Sequence, residues 1–153
     1  MDQSFVDGEA PAGYRLLEEV PTPSEFVRLR SEAGMAERSL EAAEQGLPNT
    51  LYSVVARTET ADETDPTAGP AVGVARVIGD GGAVFQISDV AVVEAHQEQG
   101  LGTAMMDAVM SYIRAEAPET AYVNLLADVD GFYERWGFEY SAPASKGMVW
   151  SPD

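Results

Sequence analysis

The sequence predicts an α/β fold (α+β in some schemes): a single mixed, mostly antiparallel β-sheet flanked by about four helices. Three observations carry this. The chain has 153 residues, the size of one ordinary domain. Between residues 51 and 93, three segments rich in β-branched and aromatic residues succeed one another, as in an antiparallel meander. The stretch 97-QEQGLGTAMM-106 then opens a long amphipathic segment, and a continuous apolar run follows at 121–127, as a parallel crossover requires.

Residues 14–20, YRLLEEV, read as the first strand. In PTPSEFVRLRSEAG, Ser24 is a candidate N-cap with Pro23 just before it. Phe26, Val27 and Leu29, with Arg30 beside them, mark a short amphipathic helix ending near Gly34. AERSLEAAEQG (36–46) gives a second helix, stopped by Gly46, and LYSVVAR (51–57) a strand. Residues 58–70 are acidic and hold two prolines, which reads as a surface loop inside one domain spanning 1–153; residues 1–12 read as a flexible lead-in. AVGVARVI (71–78), the turn GDGG (79–82) and AVFQISDVAVV (83–93) complete the meander, the glycines supplying the positive φ of a tight turn.

From residue 101, Leu101, Met105, Ala108, Val109, Tyr112 and Ile113 recur at the spacing of one buried helical face, and Pro118 ends the helix. AYVNLLA (121–127) reads as a buried strand parallel to its predecessor. DGFYERWGF holds a short helix with Asp130 as N-cap and Gly137 as stop. FEYS (138–141) and GMVW (147–150) read as a final strand pair.

Charge bounds the function. The chain carries 26 Asp plus Glu against 9 Lys plus Arg, a formal net charge of -17, and its one lysine is Lys146. A nucleic-acid partner would want the opposite sign. A disordered acidic chain would lack the 45% of apolar residues found here. The pattern resembles the acidic, lysine-poor surfaces of proteins from salt-loving cells. No run reaches the ~18 apolar residues of a membrane span, and MDQSFVDGEAP lacks the basic and apolar regions of a signal peptide, so the expected location is the cytoplasm. With no cysteine in the chain, disulfides, thiolate metal sites and a cysteine nucleophile are excluded. The lone histidine, His96, reads as a loop residue and makes no metal site, and no G-x-S-x-G elbow presents a serine nucleophile.

The glycines at 100 and 102 stand where a strand gives way to a helix. Unpaired backbone N–H groups there bind phosphate oxygens without a cationic side chain, and glycine permits close approach. Met105 occupies the third glycine position of a dinucleotide turn, and no Gly-Lys-Ser/Thr follows, so neither a Rossmann turn nor a P-loop fits. What fits is Gln97-x-x-Gly100-x-Gly102, which resembles the acyl-CoA pyrophosphate loop of the GNAT N-acetyltransferase superfamily. DVAVVEAHQEQGLGTAMMDAVMSYI is similar to that family's strand–loop–helix core, and FYERWGF (132–138) to its FYxxxGF element.

The resemblance implies a sheet with a splayed parallel central pair and an N-acetyltransferase using acetyl-CoA as cosubstrate. The acetyl group would pass to a primary amine by direct attack in a ternary complex. It places the acyl-CoA at a bulged strand, Val90, Ala91 and Val92, and at the loop Gln97, Glu98, Gln99, Gly100, Leu101, Gly102 and Thr103. Tyr133 matches the family's general acid: its reference pKa near 10 exceeds that of a thiol, near 8.5, so it can pass a proton to the leaving thiolate. Asp89 is the candidate to accept a proton or pair with the amine. The acceptor pocket of this fold involves the first two helices, which makes Arg30, Asn49 and Tyr52 candidates. Where the family often has an asparagine, seven residues before the tyrosine, this chain has Leu126, and the alternatives are replacement by Asp128, by Asp130 or by nothing. No metal, nucleic-acid or membrane partner is expected, and a homodimer is left open. The competing readings are a same-fold transferase for another acyl-CoA and a catalytically silent CoA-binding module.

Overall fold

The structure is a computed structural model describing residues 10–59 and 69–152. The core of the acidic loop and most of the lead-in expected to be flexible lie outside the described residues. One five-stranded sheet runs in the order β1 (Tyr14–Glu18), β2 (Tyr52–Thr58), β3 (Ala71–Gly79), β4 (Val84–Val92), β5 (Tyr122–Leu125). β1 to β4 are antiparallel neighbours, and β4 and β5 are parallel. The crossover between that pair is helix α3 (Leu101–Glu116), while α1 (Pro23–Glu32) and α2 (Leu40–Gly46) follow β1.

Side-chain alternation along β3 sorts the helices onto the two faces. Gly73 points to α3: an added Cβ would lie 3.1 Å from Met105 Cε and 3.2 Å from the Ala91 carbonyl oxygen, so a bare backbone lets α3 approach. Arg76 points the other way, its guanidinium 5.6 Å from the Phe26 ring centroid on α1. The α3 face is the main core, with Val54, Val77, Phe85, Leu101, Met105 and Val109 all buried. Phe26, Ala43 and Leu47 form a smaller cluster that joins α1 to α2. β3, covered on both faces, is accordingly an apolar run rather than an alternating one.

Local chemistry corrects several expected boundaries. The cap of α1 is Thr22, not Ser24. Thr22 Oγ1 accepts from the Glu25 N–H at 3.2 Å, and the Glu25 carboxylate accepts from the Thr22 N–H at 3.0 Å. This reciprocal box puts Pro23 at the first helical position, where its missing N–H leaves no bond unmade. α2 is shorter than expected because Ser39 caps it, accepting from the Ala42 N–H, so Arg38 lies outside the helix. The FYERWGF segment makes a 3₁₀ turn, Tyr133–Trp136, rather than an α-helix, and Asp130 does not cap it; Gly137 ends it in the left-handed conformation, as expected.

The expected final strand pair is absent among the described residues: 138–152 form no strand. Pro143 has no N–H for a ladder. Ser141 and Ser145 close a local turn on each other, and the Tyr140 hydroxyl bonds the Asp130 carboxylate. β5 is therefore the sheet edge instead of a buried strand, and Tyr122 on it is exposed. Among the described residues three α-helices flank the sheet, against the about four expected. Among the described residues, no helix is long and apolar enough to cross a membrane.

At a net charge of -17 the folded chain repels itself, and that cost is largest where screening is weakest. The melting temperature is expected to rise between ~0.1 M and ~2 M KCl, as the Debye length falls from ~10 Å to below ~3 Å. A melting temperature flat across that range in calorimetric scans would show that self-repulsion does not limit this fold.

Candidate active site

The site begins with a break in β4. Val74 on β3 pairs with Ala91, but Arg76 pairs with Ser88, so one residue too many stands on β4 between them. That bulge contains Asp89, whose φ of 58° lies in the left-handed region that Asp, Asn and Gly tolerate best. On the other edge of β4, pairing with β5 ends at Ile87↔Leu125. Beyond that point the two parallel strands part, and the β4 backbone from Ser88 to Val92 has no β5 neighbour.

A cavity of about 250 Å³ opens at this parting. Its lining includes Ser88, Asp89 and Val90 of β4, Leu125 at the end of β5 and Leu126 after it, Arg30 and Arg38 from the α1–α2 side, and Asp128 and Tyr133. Tyr133 also lines a second recess, of about 380 Å³, between β5 and residues 138–147. Tyr133 is only 7% exposed and packs edge-on against Phe132, ring centroids 4.9 Å apart. Burial, and then the nearby Asp128 carboxylate, raise its phenol above the usual tyrosine range.

Asp89 is 9% exposed and sits between two guanidiniums. One carboxylate oxygen accepts from Arg30 Nη1 at 2.5 Å, the other from Arg76 Nη1 at 2.8 Å. Arg30 also donates through Nε to the Ala36 carbonyl, and Arg76 to Thr50 Oγ1 and the Gly46 carbonyl. The residue with the strained backbone thus ties β4 to β3, to α1 and to the loop before β2. Burial pulls the Arg30 guanidinium below the ordinary arginine range; Asp89 opposes this, and the like charges of Arg38 and Arg76 add to it.

Behind the splay lies the start of α3. Gly100 at its N-cap has φ 86° and no side chain caps the helix, so its first N–H groups remain available. Glu98 is also left-handed, with φ 64°. Such turns fold successive N–H groups into an anion-binding concavity. The 3₁₀ turn 133–136 is fastened beside it: Arg135 Nη1 donates to Thr103 Oγ1 at 3.0 Å, and Trp136 Nε1 to the Asp107 carboxylate at 2.8 Å. The Arg135 guanidinium lies over the Phe132 ring, 5.1 Å from its centroid.

This loop–helix constellation lies within residues 50–140, which match the family model described as the acetyltransferase (GNAT) domain. The chain belongs to the GNAT acetyltransferase family. A Staphylococcus aureus protein designated a probable acetyltransferase is 38% identical, with 90% of this chain and 98% of that one covered and a TM-score of 0.79. The chloroplastic GCN5-related N-acetyltransferase 2 of Arabidopsis thaliana is 31% identical over 111 residues, 67% of this chain, and the chain spans 42% of that relative's length. A Brucella melitensis GNAT acetyltransferase solved in complex with acetyl-CoA shares the fold at 20% identity and a TM-score of 0.58, with 83% of each chain covered.

Most of the predicted residues of this GNAT protein fall in two places. Arg30, Asp89, Val90 and Tyr133 share the 250 Å³ cavity. Gln97, Glu98, Gln99, Gly100, Leu101, Gly102 and Thr103 form the loop and first turn of α3. Gln97 spends its side-chain amide on the Val92 carbonyl at 2.9 Å, which clips the loop to the end of β4, and Leu101 is buried, leaving only its backbone for a ligand. The bare side of Gly102 faces the Phe132 ring, 3.5 Å from where a Cβ would sit.

Asn49 and Tyr52 are not brought to the site. Asn49 donates to the Gln45 carbonyl on the surface. Tyr52 stacks on Tyr112 of α3, ring centroids 4.6 Å apart, and lines a separate cavity on that face. Its register partner is Val77, which shares the parity of Gly73, so strand alternation would have put it on the α3 side. Asp130 is engaged by Tyr140, whereas Asp128 faces the cavity. His96 is half-buried rather than a free loop residue, its Nδ1 2.7 Å from the Tyr14 hydroxyl. Among the described residues no group of potential ligands could hold a metal. Sequence reasoning missed Arg38, Arg76 and Arg135; for Arg135 the signal was a cation two residues after the tyrosine of FYERWGF.

Proposed function

We propose that this GNAT domain is an acetyl-CoA-dependent N-acetyltransferase acting on a primary amine by direct attack in a ternary complex. The observation that carries the reading is the convergence of a splayed, bulged β4 with the buried Tyr133, in front of a helix that no side chain caps. Those features fit the cosubstrate. Open amides at α3 suit a pyrophosphate, and the free edge of β4 at Val90, Ala91 and Val92 suits an extended amide-bearing arm. Arg135 supplies a cation beside the same amides, as a phosphate neighbour.

Acetyl-CoA, when bound, supplies an activated acetyl thioester. The chain's own residues then position and move protons. The β4 backbone holds the carbonyl oxygen against an N–H donor. Tyr133 keeps its proton on Oη and delivers it to the departing sulfur; the raised phenol assures that it is protonated at working pH. Asp89 already accepts from two guanidiniums, so its role here is to fix Arg30 and Arg76, and Asp128 at the mouth attracts the ammonium and relays its proton to water.

The test is turnover of acetyl-CoA with a panel of primary amines, product masses read by mass spectrometry. A product heavier by one acetyl group is expected. Transfer of a different acyl group would assign another acyl-CoA, and calorimetric binding of acetyl-CoA without any transfer would make the domain a CoA-binding module. Replacing Arg135 with glutamine is expected to weaken acetyl-CoA binding by about tenfold, the scale of one charge-assisted hydrogen bond, in the same calorimetric titration.

A further inference from the structure

The cavity at the β4–β5 parting has an unusual charge for this chain. Only 9 of its 153 residues are Lys or Arg, yet Arg30 and Arg38 both line it, and Arg76 stands behind Asp89. Arg30 and Arg76 share a single carboxylate, Asp89, and take both of its oxygens. Arg38 is close enough for its charge to act on Arg30, and both line the cavity. Among the described residues Arg30 Nη2 has no hydrogen-bond partner, and Arg38 bonds only the Glu37 carbonyl. Holding like charges together at a half-enclosed wall is unfavourable unless something negative joins them. Arg30 and Arg38 have unused donors there, and the planar fork of a guanidinium matches an oxyanion. Among the described residues the other charged group lining the cavity is Asp128, whose charge acts on Tyr133.

We infer that the acceptor is a small primary amine that also carries an oxyanion, a carboxylate or a phosphate, held by Arg38 and Arg30 while its ammonium faces Asp128 and Tyr133. This rests on the N-acetyltransferase reading and narrows its substrate. An amine without an anionic group would leave Arg38 without a counter-charge and Arg30 with an unused donor, and a purely cationic polyamine would meet them with the wrong sign. Arg38 is the adjustable part of the wall, since it lies on the exposed segment before α2 and makes no ion pair among the described residues, whereas Arg30 is fixed by Asp89 and Ala36.

The experiment compares matched pairs at one KCl concentration: alanine with alaninamide, and phosphoethanolamine with ethanolamine. For at least one pair, kcat/KM is expected to favour the anionic member by about tenfold to a hundredfold, the scale of a charge-assisted contact. The favoured pair tells carboxylate from phosphate. In Arg38→Gln the ratio within that pair should fall toward one, and in Arg38→Glu it should invert, while circular dichroism reports an unchanged fold. Equal or better use of the neutral members, or a ratio untouched by Arg38→Glu, would overturn the inference while leaving acyl transfer standing. If no amine is acetylated, the transferase reading fails instead. The anion preference is then read by calorimetric titration of the same four amines into the CoA-saturated protein, where equal affinities would overturn it and an Arg38-dependent preference would sustain it.

Discussion

Tyr133→Phe is expected to lower kcat by about 10²–10⁴, the range of a positioned general acid, with acetyl-CoA affinity nearly unchanged. The substitution keeps the ring that packs on Phe132 and removes only the hydroxyl, so the fold should survive. The pH profile carries a second signature. Burial and Asp128 raise the Tyr133 phenol, so its protonated, active form persists to higher pH than an ordinary tyrosine would allow. The alkaline loss of rate due to this group should therefore begin above the usual tyrosine range, near 10. Tyr133→Phe should abolish that loss. Asp128→Asn removes the carboxylate that helps raise the phenol, and should shift the loss toward lower pH. Pre-steady-state measurement of the chemical step checks all three; a Phe variant with full chemical rate would remove Tyr133 from the mechanism.

The second large effect is on stability. Asp89→Asn is expected to destabilise the fold by about 3–5 kcal/mol, because it strips the shared counter-charge from two buried guanidiniums. Arg30 is 4% exposed and Arg76 8%. For a chain of this length that corresponds to a fall in melting temperature of roughly 6–20 °C. Asparagine tolerates the left-handed backbone nearly as well as aspartate, so the loss reports charge and not strain. Denaturant unfolding of the two proteins measures it. A variant as stable as the parent would mean that the arginines find solvent or another partner without Asp89.

The local patterns in the chain predicted what local patterns can. The meander, α3 and its buried face, the parallel β5 and the left-handed Gly137 follow from side-chain period and turn chemistry over a few residues. The glycine loop and FYERWGF were legible because their spacing is itself the signal. The cap of α1 was misplaced by two residues because Ser24 and Thr22 both offer a hydroxyl, and only the reach of Glu25 back to Thr22 decides between them. The final strand pair failed because two short tetrads, FEYS and GMVW, say nothing about Pro143 between them or the capture of Tyr140 by Asp130. Least legible was the guanidinium wall: Arg30, Arg76 and Asp89 are 59 and 13 residues apart along the paired contacts, distances over which no periodicity carries information.

Position 89 also limits which sequences can wear this structure. The bulge asks for a residue at ease in the left-handed region, which leaves glycine, asparagine and aspartate; the two guanidiniums ask for a carboxylate, which leaves aspartate and glutamate. Aspartate alone satisfies both lists. A saturation library at this codon should therefore return the parent almost alone under selection for folding. Diversity would become accessible only when Arg30 and Arg76 are randomised together with it, so that β4's geometry and the wall's polarity must be rewritten in one step.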